Sequence, residues 1–216
     1  MRTCLHVPKE LGMRKIIIKV STIIFAAFIL SFATATPAYA SGFDAAYYAA
    51  KYPDVHEAFG DDVLELYNHY LNFGMDEGRF KNAEEEAEGV PATTIDTYVD
   101  VDIENQTMTY YVDGEAVLTS PCVTGKESTG NSTPRGRFVL RAKVPGKNLV
   151  GPTWNVWVDR WMRFTTFCGL HDASWRGKFG GQIYKKNGSH GCVNLPKDVA
   201  YQLYDMIEIG TAVIVH

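Results

Sequence analysis

Near Thr94 the hydrophobic period of this chain changes, and no other feature limits its fold as much. Before that point, Val63, Leu64, Tyr67, Tyr70 and Leu71 recur at helical spacing and share one face of a 3.6-residue repeat. Asp44 stands where it can cap a first helix carrying Tyr47, Tyr48 and Tyr52, Pro53 restarts the chain, and Asp61 or Asp62 can cap a second. From Thr94 the period is two. Tyr98-Val99-Asp100-Val101-Asp102 and Thr107-Met108-Thr109-Tyr110-Tyr111-Val112 flank a turn at Glu104-Asn105-Gln106, and Asp113-Gly114 is a strong hairpin signal. Segments 116–119, 122–124, 138–140, 153–158 and 212–215 continue the β pattern, and the one convincing helix lies near 197–207. Many short strands at turn spacing predict a mainly β fold, a sandwich or barrel, preceded by a small α-helical module.

The domain plan follows from the same reading. Residues 1–40 read as a signal peptide: Arg14, Lys15 and Lys19 form a basic start, 20–32 is apolar, and Ala38-Tyr39-Ala40 supplies the small-x-small cleavage pattern. The apolar run falls short of the roughly 20 residues that cross a bilayer, so cleavage is favoured over an anchor. Residues 1–12 are polar and have their own Met, which makes Met13 an alternative start. Residues 41–82 form the helical module, shorter than most segments that fold alone. Its tyrosines read as the core of that unit, with a carbohydrate-contacting surface as the alternative. Glu84-Glu85-Glu86-Ala87-Glu88 followed by Gly89 and Pro91 marks 83–93 as an acidic linker, and 94–216 as the main domain. Residues 41–92 carry three basic and twelve acidic residues, and 93–216 carry 13 and 12. No basic face of the kind that grips nucleic acid emerges from that distribution.

The segment Gly188-Ser189-His190-Gly191-Cys192-Val193-Asn194-Leu195-Pro196 carries the chemistry. A Cys among Gly and small polar residues sits in a loop that permits close backbone approach. A helix opening at Pro196 and Lys197 predicts a thiol near a helix N-terminus, where thiolate is favoured. His171 lies upstream in Gly169-Leu170-His171-Asp172-Ala173-Ser174-Trp175, and a Cys with a spatially adjacent His is the minimum for an activated thiol nucleophile. A zinc site from His171, His190 and Cys192 is disfavoured because no Cys-x₂₋₄-Cys pair accompanies them. A merely structural, buried Cys would need neither the Ser-His-Gly nor the Asn around it.

These residues resemble a known family. From about 95 to 216 the chain resembles the L,D-transpeptidase catalytic domain of the YkuD family, whose signature is a His, a short gap, then Ser/Thr-His-Gly-Cys-hydrophobic-Asn or Arg. Here His171 is followed by residues 172–188 and then by Ser189-His190-Gly191-Cys192-Val193-Asn194. Thr133-Pro134-Arg135-Gly136 resembles the family's T-P-x-G segment, and Trp175 matches a substrate-side aromatic of some members. The module resembles short F-D-x-x-Y-Y…Y-P-D-V units appended to exported bacterial proteins.

The resemblance implies a YkuD-like β sandwich or barrel with a short helix after the Cys loop, acting on peptidoglycan stem peptides. Cys192 is then the nucleophile and His171 the general acid and base. The main-chain carbonyl of Asp172 orients that imidazole, and the Gly191 N–H, with that of Cys192, receives the oxyanion. Ser189, His190, Asn194 and Trp175 are implied to shape the loop or contact substrate. The product would be a 3→3 cross-link, made in the bacterial envelope with no metal and no cofactor. After signal cleavage no stable membrane span is expected, and a glycan or wall polymer is a candidate ligand of 41–82. Two readings compete: an L,D-carboxypeptidase with water as acceptor, and a non-catalytic wall-binding protein. With Cys4 in the signal segment, Cys122, Cys168 and Cys192 remain. The expectation is three free thiols, a Cys122–Cys168 disulfide being the alternative.

Overall fold

The structure is a computed structural model and describes residues 42–216. The expected signal segment 1–40 and the alternative start at Met13 lie outside the described residues. Three short helices open it: α1 (Ala45–Lys51), α2 (Pro53–Phe59) and α3 (Val63–His69), the last passing into one widened turn at Tyr70–Gly74. Their starts are dictated locally. The Asp44 carboxylate accepts from the Tyr47 N–H, Pro53 occupies the first turn of α2, and Asp62 accepts from Leu64 and Glu65. Tyr48, Tyr67 and Tyr70 are buried with Phe43, Leu66 and Leu71. Their rings therefore fill the core of the module, while Tyr47 and Tyr52 are half-buried.

The acidic stretch expected as a linker contains a helix, α4 (Ala83–Glu88). Its Asn82 cap accepts from the Glu85 N–H, and its acidic first turn suits the positive end of the helix dipole. Glu86 takes Lys51 and the Tyr47 hydroxyl, and Glu85 takes Lys81, so α4 is fastened to α1.

The remainder is mainly β: β1 (Tyr98–Asp102), β2 (Thr107–Val112), β3 (Glu115–Pro121), β4 (Gly136–Val139), β5 (Ala142–Val150), β6 (Asn155–Arg163), β7 (Gly169–Asp172), β8 (Val193–Leu195) and β9 (Ala212–Val215). One sheet runs β3-β2-β1-β9-β4 and the other β5-β6-β7-β8. Helices α5 (Ile183–Asn187) and α6 (Lys197–Met206) flank β8. Alternation sets the register, since Val99 lies opposite Tyr110 and Val101 opposite Met108, all four buried. The core between the sheets joins those residues to Leu140, Met162, Leu170, Val193 and Leu203. β5 was not read from the sequence, and the strand expected at 122–124 is reduced to a bridge between Val123 and Asn194. Among the described residues no helix is long and apolar enough to cross a membrane.

The helical module packs on the β4–β9 edge. Val139 and Ala212 share one apolar cluster with Leu66 and Leu71. Arg141 bonds Glu65 at 2.8 Å, and Arg137 donates to the Leu71 carbonyl at 2.9 Å.

Candidate active site

Strand β7 is buried along its whole length, and its parallel pairing with β8 sets His171 opposite Asn194. His171 Nδ1 lies 2.8 Å from the Asp172 carbonyl. A carbonyl only accepts, so the proton is on Nδ1 and Nε2 carries the lone pair. Nε2 accepts from the Asn194 side-chain amide at 3.0 Å, and Asn194 Oδ1 accepts from Arg176 Nε at 2.8 Å. Rings of Trp161 and Trp175 stand 5.8 and 5.9 Å from the imidazole. Burial holds His171 below its ordinary value, in the neutral form a base requires. The Asp172 carboxylate is engaged elsewhere, accepting from the Asp159 and Arg160 N–H groups at 2.8 Å.

Cys192 is half-buried at the loop that enters β8. Its thiol donates to the Phe167 carbonyl at 3.9 Å and lies beside that of Cys168. The neighbouring Cys168 thiol and burial raise Cys192 above the usual thiol range, while the Cys192 thiol lowers Cys168 to about 7. The two titrate as a pair: the first proton leaves readily and the second is held. The three cysteines among the described residues are free thiols, and burial pushes Cys122 up to about 12. The helix effect expected on the thiol is absent. The three residues of β8 and the cap residue Pro196 separate Cys192 from α6, about 13 Å of extended chain, and a helix dipole fades within its first turn.

Ser189 organises the loop, its hydroxyl donating to the Cys192 carbonyl and accepting from the Gly191 N–H at 3.1 Å. The Gly191 N–H expected to face an oxyanion is thus already engaged. Among the described residues nothing accepts from the Cys192 N–H, which leaves that group as the donor beside the thiol. Gly191 has φ +115, and a Cβ there would lie 3.0 Å from Cys168 Sγ. His190 stacks on Trp154 with centroids 4.9 Å apart.

A cavity of about 280 Å³ unites His171, Trp175, Ser189, His190, Cys192 and Asn194. Of the predicted residues, only Asp172 and Gly191 do not line it: the Asp172 carbonyl meets His171 Nδ1 and the Gly191 N–H meets the Ser189 hydroxyl. Sequence reading missed Arg176 and the nearness of the Cys168 thiol. Arg176 stands five residues after His171, but nothing in that spacing announces its bond to Asn194.

The profile of the YkuD L,D-transpeptidase catalytic domain matches residues 96–215. A crystal structure of a cysteine-to-serine mutant of Enterococcus faecium L,D-transpeptidase is similar at 38% identity and TM-score 0.55, covering 59% of this chain and 54% of that one. The present chain thus spans about half of that protein's length. The NMR structure of the E. faecium catalytic domain acylated by ertapenem is 36% identical at TM-score 0.51, covering 58% of this chain and all of that one. An L,D-transpeptidase from Mycobacterium tuberculosis, 24% identical at TM-score 0.50, covers 56% of this chain and 57% of its own, and shares the fold. A search of curated proteins finds no match.

Proposed function

Since this chain belongs to the YkuD family of L,D-transpeptidase catalytic domains, we propose that it is an exported enzyme that forms 3→3 cross-links between peptidoglycan stem peptides through a thioester on Cys192. One observation supports this above others. The Cys192 thiol shares a small cavity with a buried imidazole whose Nδ1–H is held by the Asp172 carbonyl, so that Nε2 carries the working lone pair.

In this reading Nε2, released by Asn194, takes the Cys192 proton. The thiolate adds to the carbonyl of the third, L-configured residue of a donor tetrapeptide. The Cys192 N–H receives the oxyanion, a contribution of roughly 3–4 kcal/mol per donor. Collapse breaks the bond to D-Ala, whose amine departs with the proton held on Nε2, and a thioester remains. The amine of a second stem adds to the thioester, passes its proton to Nε2 and expels the thiolate, which regains a proton. Each bond made is matched by one broken, and the energy comes from the donor peptide bond. Ser189 holds the loop, while Trp175 and the His190–Trp154 stack wall the cavity.

The test is intact-protein mass spectrometry after incubation with a disaccharide-tetrapeptide. The expected result is an acyl adduct on Cys192 less one D-Ala, with a corresponding adduct from ertapenem, and neither in Cys192→Ala. Product formation by folded Cys192→Ala would remove the proposal. Product masses separate cross-linking from hydrolysis.

A further inference from the structure

We propose that Arg176 is the carboxylate receptor of this site: it reads the free C-terminal carboxylate of the leaving D-residue and so restricts the donor to stems that end there. The inference rests on the transpeptidase reading above and adds how the site selects the donor.

Among the described residues, Arg176 is the one permanently charged side chain lining the Cys192 cavity. It is half-buried, and among the described residues no carboxylate pairs with it. Its Nε donates to Asn194 Oδ1 at 2.8 Å and its Nη1 to the Asn187 carbonyl at 2.7 Å. Both acceptors are neutral, so they aim the guanidinium without cancelling its charge. Nη2 has no acceptor among the described residues. A cation so placed, losing hydration without gaining a counter-charge, is costly unless a ligand supplies one.

Covalent geometry supplies the ligand. The departing amine must meet His171 Nε2 to collect its proton, and in an amino acid the carboxylate carbon lies about 2.5 Å from that nitrogen. The group already at Nε2 is the Asn194 amide, whose other atom holds Arg176. The leaving carboxylate therefore falls beside the Asn194–Arg176 pair. Arg176 also lines an adjoining cleft with Lys178 and Lys186, where no acidic side chain contributes, so the approach attracts anions. A stem extended by one residue presents a neutral amide at that point and leaves the guanidinium unmatched.

The experiment compares two donors, a disaccharide-tetrapeptide with a free terminal carboxylate and the same molecule ending in a carboxamide. The rate of thioester formation on Cys192 is measured for the wild type, Arg176→Gln and Arg176→Lys. The wild type should favour the acid by roughly ten- to hundredfold in kcat/KM, the range of one hydrogen bond to a charged group. Arg176→Gln should bring the ratio near one, chiefly by losing rate on the acid, and Arg176→Lys should keep part of it. A wild type without preference, or an Arg176→Gln protein slowed equally on both donors, overturns the inference while the transpeptidase reading stands. No acylation of the wild type by either donor overturns both.

Discussion

His171 shows how one residue's surroundings fix its chemistry. It is buried between two tryptophans, its Nδ1–H is committed to a carbonyl, and burial opposes its imidazolium form. The folded protein therefore binds the His171 proton only at a pH below 6.5, the ordinary value that the unfolded chain retains. Between those points the unfolded state holds the extra proton, so stability present above 6.5 is lost as the medium is acidified. The acid limb of kcat/KM for acylation should accordingly lie below pH 6.5. A pH–rate profile checks this, and an acid limb centred above 6.5 would contradict the assignment of His171 as base. At this scale the sequence was informative: the Ser-His-Gly-Cys context and the upstream His pointed to two residues that the fold brings to one cavity. It was silent on Cys168, because the approach of one thiol to the other depends on where the 164–168 turn returns.

At the level of elements, the site depends on one parallel pairing, β7 with β8, and on the loop between α5 and Cys192. Gly188 anchors that loop. A Cβ there would lie 2.5 Å from the Tyr184 carbonyl and 2.7 Å from the Lys126 N–H, both backbone, so no side-chain rotation relieves the clash. Gly188→Ala should cost about 1–3 kcal/mol by overpacking, and most of the acylation rate through displacement of Ser189 and Cys192. Thermal denaturation and the thioester rate measure both, and an unchanged midpoint with unchanged rate would show the loop to be slack. Elements with a clear local signature were legible: the capped helices α1 and α3, the β1–β2 alternation and α6. Strand β5 was not, since Lys143, Pro145 and Lys147 interrupt any apolar pattern and its order comes from pairing with β6. Helix α5 was not either, its five residues being too few for a periodic signal.

For the whole molecule, the module is part of the β domain's packing. Removing residues 42–92 would uncover Val139 and Ala212, both buried, and leave Arg141 without Glu65. Exposing those side chains costs on the order of 2–3 kcal/mol, while the half-exposed ion pair adds little. A chain begun at residue 93 should therefore melt several degrees lower than one begun at 42, with the Cys192 site still able to take ertapenem. Calorimetry of the two chains, with equal midpoints as the contrary outcome, decides whether the contact is more than a docking of neighbours. What the sequence determined alone was whatever is encoded locally: the change of period at Thr94, the caps, the hairpin and the gapped His-to-Cys signature. What only the tertiary structure decided was every relation across the chain. The Asn194 link between His171 and Arg176, the meeting of Cys168 with Cys192, the engagement of the Gly191 N–H and the strand between thiol and helix all depend on register and loop path. Those are settled by pairing and burial over long separations, which a local pattern of residues does not record.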